Sequence, residues 1–208
     1  MAAVKEHYEI ILNDNYDWMF GGVDQNLEKN RKLFEELKII PRMSKKAIDL
    51  GAGTGYQSIP LAKLGFNVLA IDSSEKLISN LNSNKGNLSI QAIIDDIKYV
   101  KSYALTKVEL IVCMGDTLTH LQSLDEVRSL LDDCYYLMEN GGNLILTFRD
   151  YCTELSELDR LIRVKTEKDK IFECFLTYEN EKVTVMDVFH YLTEDGWQVK
   201  KSFYKKLK

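Results

Sequence analysis

The chain has 208 residues, 45% hydrophobic and 28% charged, with 32 acids against 27 bases and a formal net charge of −5. That length suits a single domain (1–208) with a substantial core, and the acidic balance disfavours a nucleic-acid partner, whose phosphates call for clustered Lys and Arg. No apolar run reaches the roughly 18–20 residues that span a bilayer, and Met1-Ala2-Ala3-Val4-Lys5-Glu6-His7 lacks a secretory layout, so the expectation is a cytoplasmic protein with no membrane partner.

The first segment is aromatic (Tyr8, Tyr16, Trp18, Phe20) and ends in Gly21-Gly22. A helix is expected from an Asp24 cap to about Ile40, with Leu27, Phe34 and Leu37 on one face and Pro41 as its stop. From Lys46 strand and helix alternate. Strand-like runs are Ala47–Leu50, Asn67–Ile71, Leu88–Ile94, Val108–Cys113 and Asn143–Phe148. Helical stretches lie near Tyr56–Leu64, with Pro60 close to its start, Ser74–Asn82 and Leu124–Glu139. The last opens on a capping box, Ser123 with Glu126, and is expected to stop at Gly141-Gly142. Such βα repetition with near-continuous apolar strands predicts an α/β, doubly wound, mostly parallel sheet.

After about Leu161 the period becomes two: Phe172, Cys174, Leu176 and Tyr178 alternate with partners, as do Val183, Val185, Asp187 and Phe189. Turn signals at Glu179-Asn180 and Asp195-Gly196 precede a last run, Trp197–Tyr204, so an antiparallel C-terminal section (161–208) is expected beside the site. Its open edge makes a monomer or a homodimer the expected assembly. The basic run Lys200-Lys201 and Lys205-Lys206-Leu207-Lys208 reads as a solvated edge. Cys113, Cys134, Cys152 and Cys174 form no CxxC pair, so no metal site is expected and the thiols read as reduced, mostly buried residues.

The most informative segment is Asp49-Leu50-Gly51-Ala52-Gly53-Thr54-Gly55, a buried strand ending in an acid and then a glycine loop that opens a helix. Glycine permits positive φ and close approach of a ligand to the backbone, and the crevice beyond the strand ends is where open α/β sheets bind ligands. In a dinucleotide fingerprint the third glycine would fall where Tyr56 stands. Asp49 is also unfavourable beside a pyrophosphate and suits a cation. Asp72-Ser73 closes the second strand, where an acid can accept ribose hydroxyls, and Asp95-Asp96-Ile97 ends the third, where an acid can receive an adenine amino group.

Together DLGAGTG, Asp72 and Asp95-Asp96-Ile97 resemble the class I S-adenosylmethionine-dependent methyltransferases over roughly residues 45–150. The resemblance implies a seven-stranded Rossmann-like sheet with a reversed hairpin at one edge and S-adenosylmethionine as cofactor. It assigns Gly51, Gly53 and Gly55 to the cofactor's amino-acid end, Asp72 to the ribose and Asp96 to the adenine. Asp49, Ala52, Ser73, Asp95, Ile97, Met114 and Gly115 are further cofactor-binding candidates beside them.

On the acceptor side, Met114-Gly115-Asp116-Thr117 with His120-Leu121, and Arg149-Asp150-Tyr151 after the fifth strand, resemble glycine and sarcosine N-methyltransferases. Those enzymes read L-G-N-S-x-x-H-L and R-N-Y there, so Asp replaces Asn twice. An ionised Asp116 repels a carboxylate and could instead hold an ammonium, or cap its own loop. Arg149 is the candidate for an acidic group on the substrate, or else pairs with Asp150 or another rim acid. His120 is a candidate base, and Tyr16 resembles a residue of the N-terminal lid (1–40) in these enzymes, or else clasps the core. Methyl transfer to a small molecule, such as an amine or a carboxylate-bearing metabolite, is the reading these residues favour. The alternatives are a non-catalytic S-adenosylmethionine-binding regulator, a protein or nucleic-acid methyltransferase, for which the N/D-P-P-Y segment is missing, and an NAD-dependent oxidoreductase, which Tyr56 opposes.

Overall fold

Apolar runs that bury both faces place β1 (Lys46–Leu50) in the middle of a parallel sheet, flanked by β2 (Asn67–Asp72), β3 (Ile90–Ile94), β4 (Val108–Cys113) and β5 (Met138–Leu146) in the order β3-β2-β1-β4-β5. A computed structural model describes residues 15–208 of the chain, so the readings made on His7 and Tyr8 lie outside the described residues. Strand order reverses at β1 and β4, which sets their C-terminal ends side by side. That reversal opens the crevice in which such sheets bind ligands.

Alternation along the strands divides the core. Ala47, Leu110 and Val112 face one layer with Phe34, Leu61, Phe66 and Leu81, whereas Ile48, Leu50, Ile111 and Cys113 face the other with Leu130, Cys134 and Leu137. The covering helices are α1 (Tyr16–Met19), α2 (Val23–Glu36), α3 (Ser58–Lys63), α4 (Glu75–Asn84), α5 (Val100–Tyr103) and α6 (Leu124–Leu137). Pro60 is the third residue of α3, where its missing N–H has no helical acceptor to lose.

Several boundaries differ from the sequence reading. Helix α2 is capped by Gly22, not Asp24, and ends at Glu36, where Lys38 takes a positive φ of 55°, well before Pro41. Phe34 is fully buried, but Leu37 is half exposed because it lies past that break. Ser123 does cap α6 by accepting from Glu126 N at 3.2 Å. Gly141-Gly142 does not stop the helix: the chain turns directly into β5 at Met138, and both glycines sit in a bulge between the Val108↔Met138 and Leu110↔Asn143 pairs. A side chain on Gly142 would press on the Glu109 and Glu139 carbonyls.

The parallel sheet has five strands, not seven. The remaining strands, β6 (Leu161–Thr166), β7 (Lys170–Tyr178), β8 (Lys182–Thr193) and β9 (Gly196–Leu207), form a separate antiparallel sheet in sequential order. Turns at Glu179–Glu181 and Glu194-Asp195 let each strand pair with its sequence neighbour, so long ladders form at little loop-closure cost and no strand returns to the edge of β5. Strand β6, unmarked in the sequence because charges interrupt its apolar residues, pairs with β7. The inner face of this sheet carries Cys174, Leu176, Val183 and Val185 and packs on Tyr151, just beyond β5.

Glu109 on β4 is nearly buried and accepts from the N–H groups of Arg42 (2.7 Å), Met43 (2.9 Å) and Lys45 (2.9 Å), fixing the approach to β1. Burial raises its pKa, but the three amides and Arg42 outweigh it, and the net shift is downward. A depressed carboxylate contributes stability that is full above its unfolded pKa and is lost as pH falls through the folded value. Glu109→Gln should therefore lower unfolding free energy at pH 7 by about 1–3 kcal/mol and flatten the acid limb of the stability curve. Denaturant melts between pH 3 and pH 7, compared with wild type, check both effects.

Candidate functional site

The loop after β1 is tied to β2 first through the backbone: Gly51 N and Ala52 N donate to Ile71 O at 2.8 and 3.1 Å. Gly51 has φ +77°, and a Cβ there would collide with the side chain of Thr117, so glycine is required where the turn passes the segment after β4. Gly53 N donates to Asp72 Oδ2 at 2.8 Å, while Asp72 Oδ1 accepts from Ser74 N at 2.8 Å. Ser73 lies between them, and Ser74 caps α4. Gly55 packs against Ile59 and Leu81 and turns the loop into α3.

Asp49 is fully buried at the end of β1. Its Oδ2 accepts from Ser58 Oγ at 2.6 Å, but Oδ1 has no hydrogen bond among the described residues. Burial, with a smaller push from Asp72 and against the pull of Ser58, raises its pKa to about 7. Holding an acid this way costs stability, and such strained groups concentrate at functional sites.

At the third strand end the two acids divide their tasks. Asp95 is consumed by its own chain, accepting from Asp96 N at 2.7 Å and Tyr103 Oη at 2.5 Å. Asp96 Oδ1 accepts from Lys98 N at 3.0 Å and caps a 3-10 turn, Ile97–Tyr99. Its Oδ2 is buried without a hydrogen bond among the described residues, Lys98 Nζ standing 3.5 Å away. Ile97 is buried beneath, in the second core layer. Met114 is buried too, and Gly115 N donates to Thr147 Oγ1 at 2.8 Å, joining the ends of β4 and β5.

Helix α1 lies over the glycine loop. Asp17 Oδ1 accepts from Thr54 Oγ1 (3.0 Å) and from Tyr56 Oη (2.6 Å). Tyr16 stacks on Tyr56 with ring centroids 5.8 Å apart and directs its hydroxyl towards Gly53. Enclosure, then the charges of Asp72, Asp17, Asp49 and Asp116, hold that hydroxyl far above the ordinary tyrosine pKa. The other flank of α1 rests on the antiparallel sheet: Lys165 Nζ donates to Trp18 O at 2.7 Å and lies 4.7 Å from the Trp18 ring centre. Neither Asp17 nor Tyr56 was a candidate from sequence, although Tyr56 in the place of a third glycine was the available signal.

Beyond β4, Asp116 gathers the second half of the site. Its Oδ1 accepts from Arg149 N at 3.1 Å, and its Oδ2 accepts from Tyr151 Oη at 3.3 Å and Lys206 Nζ at 2.6 Å. Burial raises the Asp116 pKa, yet Lys206 and Arg149 outweigh it and the net shift is downward. The carboxylate is thus held by the chain's own cations, which leaves little of it for a substrate ammonium. The Arg149 guanidinium is about half exposed, with Nε 3.6 Å from Asp116 Oδ2. Of the partners expected for it, Asp150 instead accepts from Cys152 N, and the rim acid that Arg149 pairs with is Asp116. His120 ends the 3-10 turn Thr117–His120 and stacks on Tyr204 of β9 at 5.5 Å. Lys206, read as part of a solvated terminus, is only 5% exposed. The period-two series Ser202, Tyr204, Lys206 was the signal that placed it on an inward face.

A family profile described as "Methyltransferase domain" matches residues 47–142. Among curated relatives, a glycine/sarcosine N-methyltransferase of Aphanothece halophytica is 28% identical over 116 residues, covering 55% of this chain and 44% of that protein. One of Halorhodospira halochloris is 27% identical over 142 residues, 67% and 50% respectively. The chain thus spans about half the length of the curated relatives it matches. Among solved structures, an S-adenosylmethionine-dependent methyltransferase from Clostridium acetobutylicum superposes with a TM-score of 0.70 at 16% identity, covering 89% of this chain and 74% of that one. An amino pentose methyltransferase from Micromonospora echinaspora gives 0.69 at 12% identity, covering 89% and 76%.

Because Asp17 is the link between α1 and the loop, Asp17→Ala should speed amide hydrogen exchange over Tyr16–Phe20 by about tenfold or more while exchange in β1 and β4 stays slow. Exchange followed by mass spectrometry reads this directly. Unaltered protection of α1 would show that Trp18 and its lysines suffice to hold it.

Proposed function

We propose that the chain, whose residues 47–142 match a methyltransferase-domain profile, is a class I S-adenosylmethionine-dependent methyltransferase that methylates a small-molecule amine bearing an acidic group. The observation that carries the cofactor half is the pair of buried carboxylate oxygens without hydrogen bonds among the described residues, Asp49 Oδ1 and Asp96 Oδ2, at the ends of β1 and β3. Acids and a glycine loop suit a cationic nucleoside and repel a diphosphate, so the residues present fit S-adenosylmethionine.

Asp49, Gly51, Ala52, Gly53 and Gly55 would hold its amino-acid end, Asp72 with Ser73 its ribose, Asp96 with Ile97 its adenine, and Met114-Gly115 the side nearest the acceptor. Asp95, already engaged by its neighbours, supports the turn. Each Asp72 oxygen accepts one backbone N–H and retains a lone pair for a hydroxyl. S-adenosylmethionine when bound supplies a methyl group already activated on a sulfonium, so the protein's work is alignment and exclusion of water. Tyr16 and α1 close the loop side and exclude water. Arg149, its side chain about half exposed, would take the acidic group of the acceptor, since a guanidinium matches a carboxylate in two parallel hydrogen bonds. A neutral amine needs no base; His120, packed on Tyr204, would serve an acceptor that has a proton to lose.

Label from S-adenosylmethionine should pass to acidic amines, with glycine and sarcosine as first probes, and not to uncharged amines of similar size. Arg149→Ala should raise the KM for an acidic acceptor about tenfold or more, leaving cofactor affinity in calorimetry near wild type. Equal transfer to uncharged amines, or an unmoved KM, contradicts the acceptor assignment.

A further inference from the structure

Two cations address one carboxylate at the acceptor side of the site. Lys206 Nζ is 2.6 Å from Asp116 Oδ2, within hydrogen-bond reach, whereas Arg149 Nε stands 3.6 Å from the same oxygen, close enough for a loose ion pair but beyond a hydrogen bond. Lys206 is almost completely buried, its ammonium between the rings of Tyr151 (5.7 Å) and Tyr204 (5.6 Å), with Asp187 of β8 as a second acid in range. Asp116 accepts three hydrogen bonds, from Lys206, Tyr151 and the Arg149 backbone, none from the Arg149 side chain. The resembling enzymes have Asn at this position, a neutral side chain that cannot draw in a neighbouring arginine. An aspartate can, because guanidinium and carboxylate match in bidentate fashion.

We propose that Lys206 is a positioning residue for acceptor recognition: by occupying the Asp116 carboxylate it keeps the Arg149 guanidinium free for the acidic group of the substrate. The proposal rests on Arg149 receiving that group. Strand β9 thereby becomes part of the acceptor site, and the antiparallel sheet has a function beyond covering the core. Without Lys206 the nearest cation to Asp116 is Arg149, and closing a gap of 3.6 Å needs only a side-chain movement. The site would then bind its own arginine in place of the substrate.

The test compares wild type, Lys206→Met and the double variant Asp116→Asn/Lys206→Met, with acetate as the probe and the Arg149 Nε–H resonance as the readout. In wild type that proton should exchange rapidly with water and shift on titration with acetate. In Lys206→Met it should be protected, and the acetate dissociation constant should rise about tenfold. The double variant, which removes both charges, should restore rapid exchange and acetate affinity. For an acidic amine that is turned over, KM should rise more than kcat falls in Lys206→Met, and recover in the double variant. Should Lys206→Met fail to fold, Lys206→Gln keeps a donor to Asp116 without the charge and carries the same comparison. The same Arg149 exchange rate and acetate affinity in wild type and the single variant would overturn the proposal, as would a double variant no better than the single one. If these signals behave as described but no acidic amine is methylated by wild type, Lys206 still keeps Arg149 open to an anion, and the choice of an acidic amine as acceptor is what falls.

Discussion

The hydrogen bond from Gly53 N to Asp72 is the contact on which the site's first half depends. It joins the loop after β1 to the end of β2, and with the two amides donated to Ile71 O it fixes the turn in a shape that three positive-φ glycines make possible. Once the turn is fixed, Thr54 and Tyr56 are placed to receive Asp17, and Tyr16 is drawn over Gly53. The same turn passes so close to Thr117 that a β-carbon on Gly51 has no room, so the loop also sets where the segment after β4 begins. Sequence, backbone geometry and lid placement are consecutive consequences of one bend.

The second half is assembled by long-range electrostatics. Asp116 ties together residues from the ends of β4 and β5 and from β9, and one of its charged partners, Lys206, is almost wholly withdrawn from water. Such a cluster is costly when incomplete, since removing one member leaves another buried and unpaired. The antiparallel sheet is therefore linked energetically to the acceptor side. On the opposite flank it also supports α1 through Trp18 and Lys165. One sheet touches both α1 and the Asp116 cluster.

Elements fixed by local chemistry were legible before any coordinates. The strands β1, β2 and β4, the cap at Ser123 and the hairpin turns of the antiparallel sheet follow from apolar runs, a short polar side chain and turn residues close in sequence. What escaped depended on distance along the chain or on competition. Lys206 looked like a surface lysine because its partner Asp116 lies 90 residues away. Gly141-Gly142 resembled a helix stop, but pairing of β5 with β4 absorbed both glycines in a bulge. The seven-stranded expectation gave way because the last four strands pair locally among themselves. Of the two acids at the end of β3, sequence could not say which one its neighbours would consume; Tyr103 takes Asp95.

The account stands or falls on what the bend after Leu50 accepts. Parallel calorimetric titrations of the purified chain with S-adenosylmethionine and with NAD measure this directly. The account predicts saturable micromolar binding of S-adenosylmethionine, lost in Gly51→Val, and no heat from NAD. Saturable NAD binding that displaces S-adenosylmethionine would contradict it.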